Sequence, residues 1–177
     1  MKDIELKIIS ELMKNSRRSD RELAKAIGAS QPTVSRTISR LEKKGVIKEY
    51  TMIPDLAMLG YEIMALTFIS ISPKLSSKEA NKARETALQL MKEAPDNIIM
   101  LERGLGLKHS GAFISLHKKF SDYTQFMQEF KRASTTHAYV HENVESFLID
   151  LKDESHYRPL TLRVLGNDIL RMNKQKE

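Results

Sequence analysis

The chain reads as an α+β protein in two parts, and three observations predict it. Three helix signals, each with its own start and stop residues, crowd into the first 45 residues. From residue 61 to 151 the signals alternate in the order β-α-β-β-α-β. Charge divides the same way: residues 1–53 carry twelve Lys and Arg against seven acids, which is +5 of the chain's net +6. A cationic excess confined to one segment is the footprint of a nucleic-acid module.

Composition bounds the alternatives. At 177 residues the chain holds one domain or two small ones with ordinary cores. The absence of cysteine excludes disulfides, thiolate metal sites and thiol catalysis. No apolar run approaches the ~20 residues of a membrane span, and no signal-peptide core precedes the first helix. A soluble, cytoplasmic protein with no membrane partner is expected.

The first helix is expected from about Asp3 to Lys14, with Ile4, Leu6, Ile8, Ile9, Leu12 and Met13 covering a wide face. After the turn Asn15-Ser16-Arg17-Arg18, Ser19 and Glu22 have capping-box spacing and open a short helix through Leu23, Ala24 and Ile27, which Gly28 stops. Only Ala29 separates that glycine from Ser30, the cap of a third helix with Pro32 in its first turn and Gly45 as its stop. Two helices meeting across so tight a turn have helix-turn-helix spacing. In the third helix Val34, Ile38 and Leu41 form a narrow apolar stripe. Its other faces carry Gln31, Thr33, Ser35, Arg36, Ser39, Arg40 and Lys43. Short hydroxyl and amide side chains are poor helix formers, but beside arginines they suit a helix lying in the major groove of double-stranded DNA. Residues Val46–Ile53 read as extended chain forming a small wing, and 54–60 as a linker.

The second part occupies residues 61–152. Tyr61–Ser72 is a strand. Ser76 or Ser77 opens a helix with Ala80, Ala83, Ala87, Leu88 and Met91 on one side, ending before Pro95. Asn97–Arg103 and Gly111–His117 are strands joined by a glycine-bearing loop over 104–110. Ser121 caps a helix bearing Tyr123, Phe126, Met127 and Phe130, and Tyr139–Leu151 is the fourth strand. This order gives a ferredoxin-like βαββαβ sandwich with both helices on one face of an antiparallel sheet. Such a sheet should alternate apolar with polar, yet the first strand is apolar on both faces, and Phe147, Leu148, Ile149 and Leu151 in the fourth behave alike. A second copy of the same sheet is the simplest cover, so a homodimer is expected. The tail, 153–177, holds a candidate strand at Leu160–Leu165, then Gly166 and a short basic helix. An added strand, a swapped arm and a disordered tail all fit it.

For DNA contact, Gln31, Thr33, Ser35, Arg36, Ser39 and Arg40 are candidates for base edges or nearby phosphates, with Arg36 first for a bidentate guanine contact. Arg17, Arg18, Lys43, Lys44 and Lys48 are candidates for phosphates. A two-fold dimer would read an inverted repeat with half-sites about one turn, ~10 bp, or multiples apart.

From IELKIISELMKNSRRSDRELAKAIGASQPTVSRTISRLEKKGVIKEYTMI through Leu59-Gly60 and the βαββαβ unit, roughly residues 2–152, the chain resembles the Lrp/AsnC family of transcriptional regulators. The resemblance implies a winged DNA-binding domain joined to a domain that dimerises, often assembles further into tetramers or octamers, and commonly binds a small effector such as an amino acid between dimers. That site would fall at Gly104, Gly106, His109, Ser110 and Glu145. The chain departs from the family here: Gly104–Ala112 lacks the usual Asp-Tyr, and with it an acid for an amino group. Ser134–Ala138 likewise replaces the common Pro-Gly-Val.

Two other functions use the same architecture. Siroheme decarboxylases resemble this family, and His109, His117, His137, His141 and His156 are the residues such chemistry would use. No pair of them has metal-ligand spacing with a supporting acid, and no cofactor is implied. A stand-alone effector-binding module is the third reading, distinguished by absent DNA binding at low salt.

Overall fold

The computed structural model describes residues 1–71, 96–136, 140–153, 155 and 160–174. In chain order its elements are α1 (Asp3–Lys14), α2 (Asp20–Ile27), α3 (Gln31–Lys43), β1 (Ile63–Ile71), β2 (Ile98–Gly106), β3 (His109–His117), α4 (Phe120–Thr136), β4 (Val140–Asp150) and α5 (Leu165–Lys174). They form two compact units, Met1–Pro54 with Tyr157–Glu177, and Asp55–His156.

In the first unit Ile8, Leu23 and Val34 are fully buried and Leu41 nearly so, with Ile4, Leu12, Ile27 and Ile38 packed around them. Each such side chain contributes about 1.5–3 kcal/mol of burial. Ser19 and Glu22 form the expected capping box: the Ser19 amide donates to Glu22 Oε2 at 2.7 Å and the Glu22 amide to Ser19 Oγ at 3.3 Å. Gly28 turns the chain at φ 71°, a left-handed conformation open to glycine at little cost. After α3, Gly45 does the same at φ 67°, and the Val46 amide returns to the Leu41 carbonyl at 2.9 Å. The segment after it forms no wing strand. Its backbone is held instead by the Ser16 hydroxyl on the Thr51 carbonyl, and by the Tyr50 phenol on Glu42 Oε1 at 3.0 Å. Burial and that carboxylate push the phenol up to about 12.

The wide apolar face of α1 has a second client. Ile4, Ile8 and Leu12 serve the core, whereas Ser10, fully buried, meets α5. Gly166 sits so close that a Cβ there would lie 2.8 Å from the Ser10 carbonyl oxygen. The expected strand at Leu160–Leu165 is a turn, because the Arg163 amide donates to Thr161 Oγ1 at 3.1 Å and the Leu165 amide to the Leu162 carbonyl at 3.1 Å. Side-chain capture of a backbone amide competes with extended pairing.

The second unit is a four-stranded sheet of order β2-β3-β1-β4, with every neighbouring pair antiparallel. The crossover from β1 to β2, with the helix expected from Ser76 or Ser77, lies outside the described residues. Helix α4 covers one face through Met127, Phe126 and Phe130, which pack on Phe113 and Ile69. It starts at Phe120, one residue before the expected Ser121 cap, whose hydroxyl is spent on the Asp122 carboxylate at 3.2 Å. The opposite face carries Met64, Leu66 and Phe68 on β1, with Leu116, Ile114 and Ala112 beside them on β3 and Ile149, Phe147 and Glu145 on β4. Phe147 is 65% exposed. The loop expected over 104–110 is a tight hairpin: β2 and β3 extend to Gly106 and His109, and Leu107 and Lys108 turn the chain at φ 50° and 64°. Neither is the Asn or Gly that advertises such a turn, so it was invisible in the sequence. Residues 54–60, expected as a linker, turn on themselves: the Met58 amide donates to Asp55 Oδ1 at 3.0 Å and the Tyr61 amide to the Leu56 carbonyl at 3.0 Å.

His117 lies under α4, 3% exposed, with Ser115 Oγ 2.9 Å from Nε2 and the rings of Tyr123 and Phe126 against it. Burial holds its pKa below the usual 6.5, against an upward pull from Asp122.

Two predictions follow from this packing. Gly166→Val forces α5 away from α1 and should lower the unfolding free energy by ~1–3 kcal/mol, seen as an earlier urea midpoint. For His117, folded and unfolded rings are both neutral above 6.5. As pH falls below that value the unfolded chain protonates first, and stability drains until the folded ring titrates at its lower pKa. Urea titrations from pH 7.5 to 5 should show this loss at up to ~1.4 kcal/mol per pH unit, and His117→Gln should remove its own share of the slope.

Candidate nucleic-acid interface

Helix α3 exists because its ends are well specified and its inner side is apolar. Ser30 Oγ accepts the Thr33 amide at 3.3 Å, and Pro32 occupies a first turn that needs no amide donor. Val34 and Leu41 anchor the helix in the core, joined by Thr37, which is 4% exposed and donates its hydroxyl to the Thr33 carbonyl at 2.8 Å. The apolar stripe overlooks Thr37 because a threonine counts as polar until its hydroxyl is seen to bond its own helix.

The opposite side is open. Gln31, Ser35, Arg36 and Ser39 are exposed. Thr33 is half-buried, with its hydroxyl 2.8 Å from Ser30 Oγ. Arg36 donates Nε to the Pro32 carbonyl at 3.2 Å, a contact that braces the side chain while sparing its two terminal nitrogens. Ser35, Arg36, Ser39, Arg40, Lys43 and Lys44 line one shallow depression. Lys48 and Arg17 are exposed beyond it.

Two of the expected contact residues are tied to the scaffold. Arg18 pairs with Glu11, which also accepts Lys14 Nζ at 2.7 Å. Arg40 reaches back to α1, where its Nη2 lies 3.0 Å from Glu5 Oε1, and its Nε is buried without an acceptor among the described residues. Glu5, only 6% exposed, also accepts the Lys2 amide at 2.7 Å. That amide, then the charges of Arg40 and Lys44, holds the Glu5 carboxyl below the usual carboxylate range. Sequence reading passed over Glu5. The signal was a glutamate at the third position of α1, where a side chain reaches back to the amide before the helix.

In the second unit the structure gathers some of the expected effector residues and not others. His109, 7% exposed, lies 3.0 Å from Ser70 Oγ through Nδ1 and 3.5 Å from Glu145 Oε2 through Nε2, with the Phe68 ring 5.7 Å away. Glu145 comes from β4, so an acid absent from the hairpin arrives from another strand. Gly106 pairs with His109 across the hairpin, Gly104 lies on exposed β2, and Ser110 is half-buried on β3. Ser70 was not anticipated. As for the other histidines, His117 is core, His141 falls in β4, and His137 and His156 lie outside the described residues. Among the described residues no three His, Asp or Glu side chains are grouped to hold a metal.

Residues 1–48 match the family described as winged helix-turn-helix DNA-binding. The regulator LrpA of Pyrococcus horikoshii is 32% identical over 97 residues, covering 53% of this chain and 69% of LrpA. The crystal structure of PH0061, an uncharacterised HTH-type regulator from the same organism, superposes with a TM-score of 0.71 at 25% identity, covering 91% of this chain and 97% of that one. The transcriptional regulator NMB0573 of Neisseria meningitidis, solved with L-Met, has the same fold with a TM-score of 0.69 at 19% identity, covering 93% and 99%. No helix among the described residues is long and apolar enough to cross a membrane.

Proposed function

The chain belongs to the Lrp/AsnC family of DNA-binding transcriptional regulators, and from that premise we propose that it reads inverted-repeat DNA as a homodimer under the control of a small effector. The open face of α3 is the observation that carries this reading. A helix held by Val34, Thr37 and Leu41 turns Gln31, Ser35, Arg36 and Ser39 outward with cations at its end. Such a face reads base edges by hydrogen bonding and gains affinity by displacing counterions. Arg36 is the base-reading residue, with Gln31, Thr33, Ser35 and Ser39 beside it, and Arg17, Lys43, Lys44 and Lys48 meet phosphates. Arg18, paired with Glu11, contributes charge more than contact.

The apolar sheet face supports the dimer. Met64, Leu66, Phe68, Ile114, Phe147 and Ile149 are contiguous across β3, β1 and β4, and closed two-fold pairing buries such a surface against its own copy. The cluster of Ser70, His109 and Glu145, with Ser110, Gly104 and Gly106 nearby, is the proposed effector site. Glu145, with 72% of its side chain exposed, offers a carboxylate to an ammonium group. A structural neighbour that binds L-Met lends weight to an amino acid. The chain acts by binding rather than turnover, in the cytoplasm, as its relatives named as regulators suggest.

Binding selection from genomic fragments, with and without an amino-acid mixture, tests the reading: enriched inverted repeats are expected, and unenriched binding would sink it. On a selected site, Arg36→Ala should cost ~1–3 kcal/mol of discrimination, while Lys48→Ala should weaken operator and random DNA about equally. Phe147→Glu should leave a monomer in sedimentation; an unchanged dimer would move the interface elsewhere.

A further inference from the structure

Arg40 occupies the same face of α3 as Arg36, one turn on, and lines the same depression. A free arginine there would reach any phosphate, adding affinity for all DNA and none for a chosen sequence. It is not free. Its Nη2 lies 3.0 Å from Glu5 Oε1, and its Nε is drawn out of water without an acceptor among the described residues. Glu5 is equally constrained, since its other oxygen closes the start of α1 on the Lys2 amide at 2.7 Å. The carboxylate cannot follow Arg40 outward without opening that helix end.

We propose that Glu5 is a positioning residue, which holds Arg40 against α1 and so keeps one cation of the reading face off the DNA backbone. The inference rests on α3 being the DNA-reading helix. Because Glu5 is almost wholly buried, it meets Arg40 without itself facing DNA. Its pKa, lowered first by the Lys2 amide and then by Arg40, keeps the carboxylate charged at neutral pH. The device lowers background binding while Arg36, braced on its own helix, stays available for a base.

The test is the salt dependence of binding to random double-stranded DNA by the full chain and three variants, Glu5→Gln, Arg40→Gln and the double variant. Glu5→Gln keeps the side-chain shape but removes the charge and one of the two acceptor oxygens, and Arg40→Gln removes the cation and shortens the side chain. One phosphate contact adds about 0.9 to the slope of log K against log salt, or roughly threefold between 50 and 200 mM. Glu5→Gln should steepen the slope by about that amount on random and operator DNA alike, leaving the ratio of the two affinities unchanged. Arg40→Gln alone should leave the random-DNA slope unchanged, and Glu5→Gln should add nothing once Arg40 is gone.

The proposal is overturned if Glu5→Gln leaves the slope alone, or if it steepens the slope equally in the Arg40→Gln background, a plain charge effect. It is also overturned if Arg40→Gln alone flattens the slope, because Arg40 would then already touch phosphate. Should Glu5→Gln not fold, the Arg40→Gln result decides. Wild-type protein showing no salt-dependent DNA binding would instead sink the reading of α3 itself.

Discussion

The first unit depends on α1, because three other helices take their positions from it. Ile8, with Ile4 and Leu12, supplies the floor on which α2 and α3 pack. Ser10 on another side accepts Gly166 of α5 at near-contact distance. Glu5 reaches a third direction, to the arginine of α3. A single helix thus fixes the orientation of α3 by packing, and the state of one of its arginines by charge. Apolar contact sets where α3 lies; it cannot by itself decide which of two neighbouring arginines is spent on the protein.

The second unit solves a different problem. Its sheet has one side filled by aromatic rings of α4 against Phe113, and that side tolerates Thr67, Ser115 and His117 because their polar atoms find partners within the sheet or the helix. Burying polar groups costs little when each is bonded. The other side gathers Ser70, His109 and Glu145 at one end, and its described apolar residues run from there across β3, β1 and β4. The contrast within one sheet distinguishes a finished core from an apolar face that no described residue of the chain covers in the same way.

Much of this was legible in the sequence, and the gaps have physical causes. Caps and stops at Ser19, Gly28, Ser30 and Gly45 are local chemistry, so α2 and α3 could be bounded to within a residue or two. The alternation of β1 gave its two faces for the same reason. What stayed hidden depends on residues far apart in sequence. Nothing near Arg40 indicates that Glu5 engages it, and nothing near His109 indicates Ser70 or Glu145. The hairpin at Leu107-Lys108 escaped because its residues pay a conformational cost of about 1 kcal/mol or more each that no propensity rule would assign them. The tail was ambiguous because Gly166 reads as a break until Ser10 is found beneath it.

Helix α5 has a consequence for the order in which the protein is made. The first unit is assembled from two separate segments, with Asp55–His156 encoded between them. On the ribosome, domains generally fold as they emerge, the N-terminal one first. Here α1, α2 and α3 emerge early but wait for α5, encoded after the sheet domain, before Ser10 is covered. The sheet domain is complete before the DNA-binding unit is. A nascent chain therefore exposes α3 on an unfinished support until α5 has been made.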